Sequence, residues 1–220
     1  MTALNFVLSE DAVYVVADTL VTFEHKPAYF TTKVFTVPHW NGLICGRGSH
    51  GLILDWVMQA FGSTLALDLV HTDEFAPQIM RDLFDNRPKE EQANCTTSIY
   101  HLGFDTAQDR FVGFAYRSKD DFVSEPLEYG FHQKPGIGIE MEMREFPKDF
   151  VAHMRQQREE QDALPPEERA FIGGQILSWM LQRVQQEDGP SLVRTTILPA
   201  FEWDDYGEAY IECLDGLAER

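Results

Sequence analysis

Cysteine is scarce in this chain: Cys45, Cys95 and Cys213 make three. The number is odd, the spacing is wide and no C-x-x-C pair occurs, so neither a disulfide framework nor a thiolate zinc site is suggested. Long apolar runs are absent too. No stretch approaches the about 18–20 residues that a membrane helix needs. No basic segment followed by an apolar core opens the chain, so no signal peptide is expected. Basic residues are few: 18 Lys and Arg stand against 36 Asp and Glu, a formal net charge of −18. So acidic a surface disfavours phosphate backbones and anionic membranes, and serves solubility. The expectation is a cytoplasmic protein with no nucleic-acid and no membrane partner. There is no G-x-G-x-x-G or Walker pattern and no G-x-S-x-G. The seven histidines show no metal-ligand spacing, and no cofactor or metal is expected.

What is present is enough to fold. The 220 residues are 44% hydrophobic and 12% aromatic, which suits one large domain with a proper core, taken as residues 1–220. Leu4, Phe6 and Leu8 alternate with Asn5 and Val7 in a first strand. Ala12 to Ala17 is a second, apolar enough to be covered on both faces. An irregular stretch with Pro27 follows Asp18. Lys33 to Val37 and Leu43 to Cys45 are the third and fourth strands. After Gly46-Arg47-Gly48, Ser49 is a fitting N-cap for a helix bearing Ile53, Trp56, Val57, Ala60 and Phe61. A second helix is expected after Thr72, with Ile79, Met80 and Leu83 on its apolar face.

Thr96 to Gly103 and Phe111 to Tyr116 alternate as strands, and Phe122 to Tyr129 is read as another, edged by Pro126. Residues 131–146 combine loop glycines with an alternation of Ile137, Ile139, Met141 and Met143. Pro147 to Gln161 reads as a helix. Pro166 then fits the first position of a further helix carrying Ile172, Ile176, Leu177, Met180, Leu181 and Val184. Gly173 and Gly174 inside it would cost roughly 1 kcal/mol each relative to alanine. That cost implies close packing on a neighbouring backbone, a partner subunit's being one option. Asp188 to Ser191 is a turn, Leu192 to Leu198 a strand, and Tyr206 to Leu217 a short helix. Strands and helices in consecutive blocks point to antiparallel sheets in an α+β protein.

Thr2 stands directly behind Met1, in the context where the initiator is commonly trimmed. A threonine at the head of a chain can act as nucleophile with its own α-amine as base. Asp18 closes the second strand sixteen residues later, and Lys33 opens the third. These positions, with the element order, resemble the proteasome β-subunit and HslV branch of the N-terminal nucleophile (Ntn) hydrolases. In that branch a threonine opens the first strand, an aspartate closes the second at this spacing, and a lysine opens the third. Leu102-Gly103-Phe104-Asp105 resembles the end of the family's fifth strand. Asp188-Gly189-Pro190-Ser191 fits its acidic-x-x-serine segment between a helix and the next strand.

The resemblance implies a four-layer αββα sandwich, two antiparallel sheets between helix layers, and a threonine peptidase. The Thr2 amine, with an ordinary pKa near ~7.7–8.0, would take the hydroxyl proton. Lys33, held by Asp18, would favour the alkoxide. Asp188 and Ser191 would orient the amine, and a backbone N–H at Gly46 would receive the oxyanion. It further implies a homo-oligomer, a ring among the options, an ATP-dependent unfoldase as partner, and peptide or amide substrates.

Three features depart from the pattern. Arg47 falls on the glycine of the oxyanion turn, and the family's Gly-Ser-Gly has Gly130-Phe131-His132 near its place. Residues 131–146 look inserted. A retained Met1 would also turn the Thr2 amine into a peptide nitrogen, with no basicity. A non-catalytic assembly or binding module of the same fold, and an amidase for small amides, therefore stay open beside the peptidase. Arg47 is read either as a binder of substrate carboxylates or as a surface charge. His50 and His132 are weak candidates for nearness to the site.

Overall fold

Alternation along the first two strands decides the architecture. In β1 (Leu4–Leu8) and β2 (Ala12–Asp18), Leu4, Phe6, Leu8, Val13, Val15 and Ala17 point to one core, while Val7, Tyr14 and Val16 point to another. A sheet apolar on both faces has to be covered on both. The computed structural model describes residues 3–62, 68–94, 96–139, 141–187 and 189–218. Among them the chain is mixed α+β, with three antiparallel sheets and six α-helices.

The remaining strands are β3 (Leu20–Phe23), β4 (Lys26–Phe30), β5 (Val34–Val37), β6 (Gly42–Arg47), β7 (Ser98–Asp105), β8 (Arg110–Arg117), β9 (Glu125–Pro126), β10 (Gly130–Lys134), β11 (Gln175–Val184) and β12 (Leu192–Glu202). One five-stranded sheet runs β10-β1-β2-β11-β12, a second runs β5-β6-β7-β8-β9, and β3-β4 form a separate hairpin. The helices are α1 (His50–Gly62), α2 (Leu69–Asp73), α3 (Ala76–Asp85), α4 (Lys89–Asn94), α5 (Lys148–Asp162) and α6 (Tyr206–Ala218).

The inner faces of the two large sheets meet in one core. Leu4, Phe6, Val13, Val15, Trp179 and Leu181 from the first pack with Leu43, Cys45, Tyr100, Leu102 and Phe111 from the second. Burying each such side chain contributes about 1.5–3 kcal/mol. The outer face of the second sheet, with Ile44, Ile99 and Tyr116, is covered by Leu52, Trp56 and Ala60 of α1 and Met80 of α3. Val16 and Ile176 on the outer face of the first are covered by Phe150 and Met154 of α5. Asn5 also faces α5 and is fully buried there. Its amide and that of Gln157 exchange hydrogen bonds of 2.6 and 3.0 Å, which removes the penalty of burying two polar groups.

Several expectations need correction. Residues 175–184 form a strand, β11, and not a helix: β11 pairs with β2 on one side and β12 on the other. Ile176 faces the helix side and Trp179 and Leu181 the inner core, so both faces are apolar and the two-residue period is hidden. Gly173 and Gly174 lead into this strand. Their tight neighbours are residues of the same chain: a Cβ on Gly173 would meet Leu20, and one on Gly174, at φ +77°, would collide with Thr19 and Phe30.

The stretch around Pro27 is the β3–β4 hairpin, turned by Glu24 and His25 at φ 48° and 64°. The segment 122–129 keeps only the two-residue β9, because Asp121 and Phe122 both adopt positive φ. Within 131–146 the strand is β10, paired with β1. Its described continuation is irregular, with Ile137 tied to the Gln133 side chain and Met141 and Met143 packed on the α5 core. The helix expected after Thr72 is two helices, α2 and α3, meeting at Phe75.

Candidate active site

Asp18 ends β2 with a strand on either side: Ala17 pairs with Leu4 of β1, and Asp18 itself with Ile176 of β11. That central place removes it from solvent, at 1% exposure. Among the described residues, every group facing its carboxylate is a donor. Lys33 Nζ lies 2.7 Å from Oδ1, the Ala3 amide donates to Oδ1 at 3.0 Å, and the Gly173 amide donates to Oδ2 at 3.2 Å. Three donors and no acceptor suit an ionised carboxylate.

Lys33 arrives from the second sheet. Val34 pairs with Cys45, so the residue before Val34 faces the residue after Cys45, which brings Lys33 beside Gly46. Its side chain is 4% exposed and also donates to the Leu20 carbonyl at 2.6 Å. Burial lowers the Lys33 pKa below its ordinary value, with the charge of Asp18 pulling the other way. Burial likewise raises Asp18, against the charge and hydrogen bond of Lys33 and the two amides. Two groups this close titrate as one unit. An ammonium has three protons to donate. Among the described residues Asp18 and Leu20 accept two, and no acceptor is seen for the third.

Lys33 lines a cleft of about 60 Å³ with Val21, Thr22, Gly46, Arg47, Gly48, His50 and Ile53. Gly46 and Arg47 are strand residues, paired with Ile99 and Ser98, so the bend begins only at Gly48. Gly48 has φ +107°, and a Cβ there would run into the Thr96 carbonyl and Thr97, which restricts the position to glycine. Gly46 is restricted by packing: a Cβ would stand 2.8 Å from the Ser98 carbonyl oxygen. Ser49 then caps α1, its Oγ accepting the Leu52 amide at 3.1 Å. The first residue of that helix, His50, meets the Tyr29 hydroxyl through Nδ1 at 3.0 Å, and its Nε2 is buried without a hydrogen bond.

The structure thus gathers Asp18, Lys33 and Gly46. It separates Ser191 from them. Ser191 precedes Leu192, which pairs with Val184 at one end of β11, whereas Asp18 pairs with Ile176 near the other end. Eight residues of strand, at about 3.3 Å each, put roughly 25 Å between the two ends. The strand at 175–184 runs from the Asp18 end to the turn that follows, so the turn lies at its far end. Thr2 and Asp188 lie outside the described residues.

The segment that does reach Asp18 is 169–174, through the Gly173 amide. Its Arg169 pairs with Asp162 and stacks on Phe171, and Ile172 is in the α5 core. The conflict of two adjacent glycines with a helix was the sequence signal for this segment, and in the structure Gly174 takes φ +77°. His50 lines the cleft, while His132 stacks on Phe6 at 4.6 Å away from the cleft lining.

Among the described residues no three His, Cys, Asp or Glu side chains cluster to hold a metal, and no helix is long and apolar enough to cross a membrane. Comparison with protein-family models and with curated proteins finds no match.

Proposed function

We propose that this chain is an N-terminal threonine hydrolase of the proteasome-like kind, a four-layer αββα Ntn hydrolase that cleaves an amide bond. The observation that carries the reading is the buried Asp18–Lys33 pair at the head of β1. The Ala3 amide is hydrogen-bonded to Asp18, and Thr2 is the residue before Ala3.

In this reading Met1 is removed and the free Thr2 amine takes the proton of its own hydroxyl. Oγ attacks the amide carbon, and the Lys33 charge favours the forming alkoxide. A backbone N–H at the Gly46–Gly48 segment receives the oxyanion. The C–N bond breaks, the leaving amine takes the proton from the Thr2 ammonium, and an ester remains on Oγ. Water, deprotonated by the same amine, hydrolyses the ester and restores the threonine. An oligomer, a ring among the options, and an ATP-dependent unfoldase are the partners the resemblance implies.

Intact-mass measurement of protein from its native host, with a threonine-directed epoxyketone probe, tests this. Loss of Met1 and one probe on Thr2 are expected. A retained Met1, or an unlabelled Thr2 in the trimmed chain, would overturn the reading. The position of Ser191, far from the pair it was expected to assist, favours a second reading: a non-catalytic module of the same fold, in which Thr2→Ala keeps the biological role.

A further inference from the structure

The first sheet ends in β12, which among the described residues is paired with β11 alone and is 11 residues long. The outer edge of such a strand is a row of unpaired amides and carbonyls, which proteins ordinarily blunt with charge, proline or a bulge. In β12 the proline and the bulge stand together near one end, at Pro199 and the register shift opposite Ile176 and Leu177. The run before them, Leu192-Val193-Arg194-Thr195-Thr196-Ile197-Leu198, has Arg194 as its one charge. Leu192, Ile197 and Leu198 keep about half of their surface open, at 52, 50 and 50%. Acids are missing from this edge. The chain has 36, yet β11 has none and β12 has only Glu202, its last residue. Asp11 and Asp109 approach β11 at Arg183, and both are held there in ion pairs.

We propose that this edge takes a second copy of the chain, β12 against β12 in antiparallel pairing, so that two five-stranded sheets join across a two-fold axis. The residues select the register. With the axis at Thr195, Leu192 meets Leu198, Val193 meets Ile197, Arg194 meets Thr196, and Thr195 meets its own copy. Val193, Thr195 and Ile197 share the face of Trp179 and Leu181, and Leu192, Arg194, Thr196 and Leu198 share the other. Each half-open leucine and isoleucine therefore gains an apolar neighbour on its own face, and Arg194 never opposes its copy. Pro199 falls just outside the paired run. Moving the axis to Thr196 would set Val193 against Pro199, which has no amide to donate, and Arg194 against Leu198. Two chains of net charge −18 repel. An edge whose strands carry almost no acid is where that repulsion is least.

The inference rests on no step of the hydrolase reading, and dimers of a chain whose Thr2 is never labelled would leave it standing. Sedimentation of the intact protein over a wide concentration range tests it. A reversible monomer–dimer equilibrium is expected. Thr195→Asp puts two carboxylates face to face on the axis and should weaken association about tenfold or more, with the far-UV spectrum unchanged. Thr195→Cys should form a disulfide between copies under a mild oxidant, since opposite residues stand about 4.5–5.5 Å apart between Cα atoms. Thr196→Cys should not, since its two copies would be about 8 Å apart. The unsubstituted chain, oxidised in parallel, sets the background from its own cysteines. A single copy at every concentration overturns the proposal. So does association that Thr195→Asp leaves unchanged, or cross-linking through residue 196 as readily as through residue 195.

Discussion

Replacing Lys33 by methionine would remove the cation of the buried pair while keeping most of the side chain's volume. Asp18 would keep the Ala3 amide at 3.0 Å and the Gly173 amide at 3.2 Å, with no counter-charge, at 1% exposure. Removing one partner of a buried pair costs about 3–5 kcal/mol, since the remaining charge stays desolvated. The two amides soften this, and a loss of about 3 kcal/mol is expected.

The pH dependence has a definite sign. Burial already raises the Asp18 pKa, and losing Lys33 raises it further. A folded pKa above the unfolded one means that folding takes up a proton, so the loss is largest above the folded pKa and shrinks as pH falls through it. The double variant Asp18→Asn/Lys33→Met removes both charges and should be at least about 1–2 kcal/mol more stable than Lys33→Met alone at neutral pH. Urea titrations followed by tryptophan fluorescence, at neutral and mildly acidic pH, give all three quantities and the coupling energy. A Lys33→Met cost under about 1 kcal/mol at both pH values, or a double variant no better than the single, would refute an ionised, load-carrying pair.

Acid should destabilise the protein through His101, whose Nε2 accepts the Trp56 indole N–H at 2.8 Å and whose pKa burial lowers to about 3. The unfolded chain binds that proton from about pH 6.5 downward while the folded one does not, so stability falls between these limits by roughly 4–5 kcal/mol at most. In His101→Phe the acid slope should flatten over that window, and an unchanged slope would contradict the assignment. Gly174→Ala should cost about 2 kcal/mol or more, because φ +77° and the contacts with Thr19 and Phe30 both oppose a Cβ; a neutral melting curve would count against it. Ser191→Ala should leave Thr2 probe labelling unchanged while Lys33→Ala abolishes it, and slowed labelling in Ser191→Ala would return that residue to the site.

Much of this was legible in the residues. β1 and β8 show their alternation because polar or small residues mark one face, and Ser49 announced α1 because a cap needs only local chemistry. The Asp18–Lys33 contact was expected from the family resemblance alone, because the two stand at strand ends in different sheets and no register links them. β11 was not readable in the same way. Ile176, Leu177, Trp179, Met180 and Leu181 meet apolar neighbours on both faces, and such a run satisfies a helical template equally well. The two glycines at its start were the local evidence against a helix, and that conflict outweighed the periodicity. Ser191 lies past the end of that strand far from Asp18. The β3–β4 hairpin was hidden for another reason: Glu24 and His25 hold the left-handed turn without the Asn-Gly signal that usually marks it.

The three groups on the Asp18 carboxylate come from very different distances along the polypeptide. Ala3 and Lys33 are each 15 residues away and Gly173 is 155. A ribosome therefore delivers two of them early and the last only when most of the message has been read. Until then β2 has no neighbour at its β11 edge, and the carboxylate is short of one donor. A growing chain can thus pair β1 with β2 well before the carboxylate has all three of its described donors. The long reach of Gly173 makes the surroundings of Asp18 a late product of synthesis.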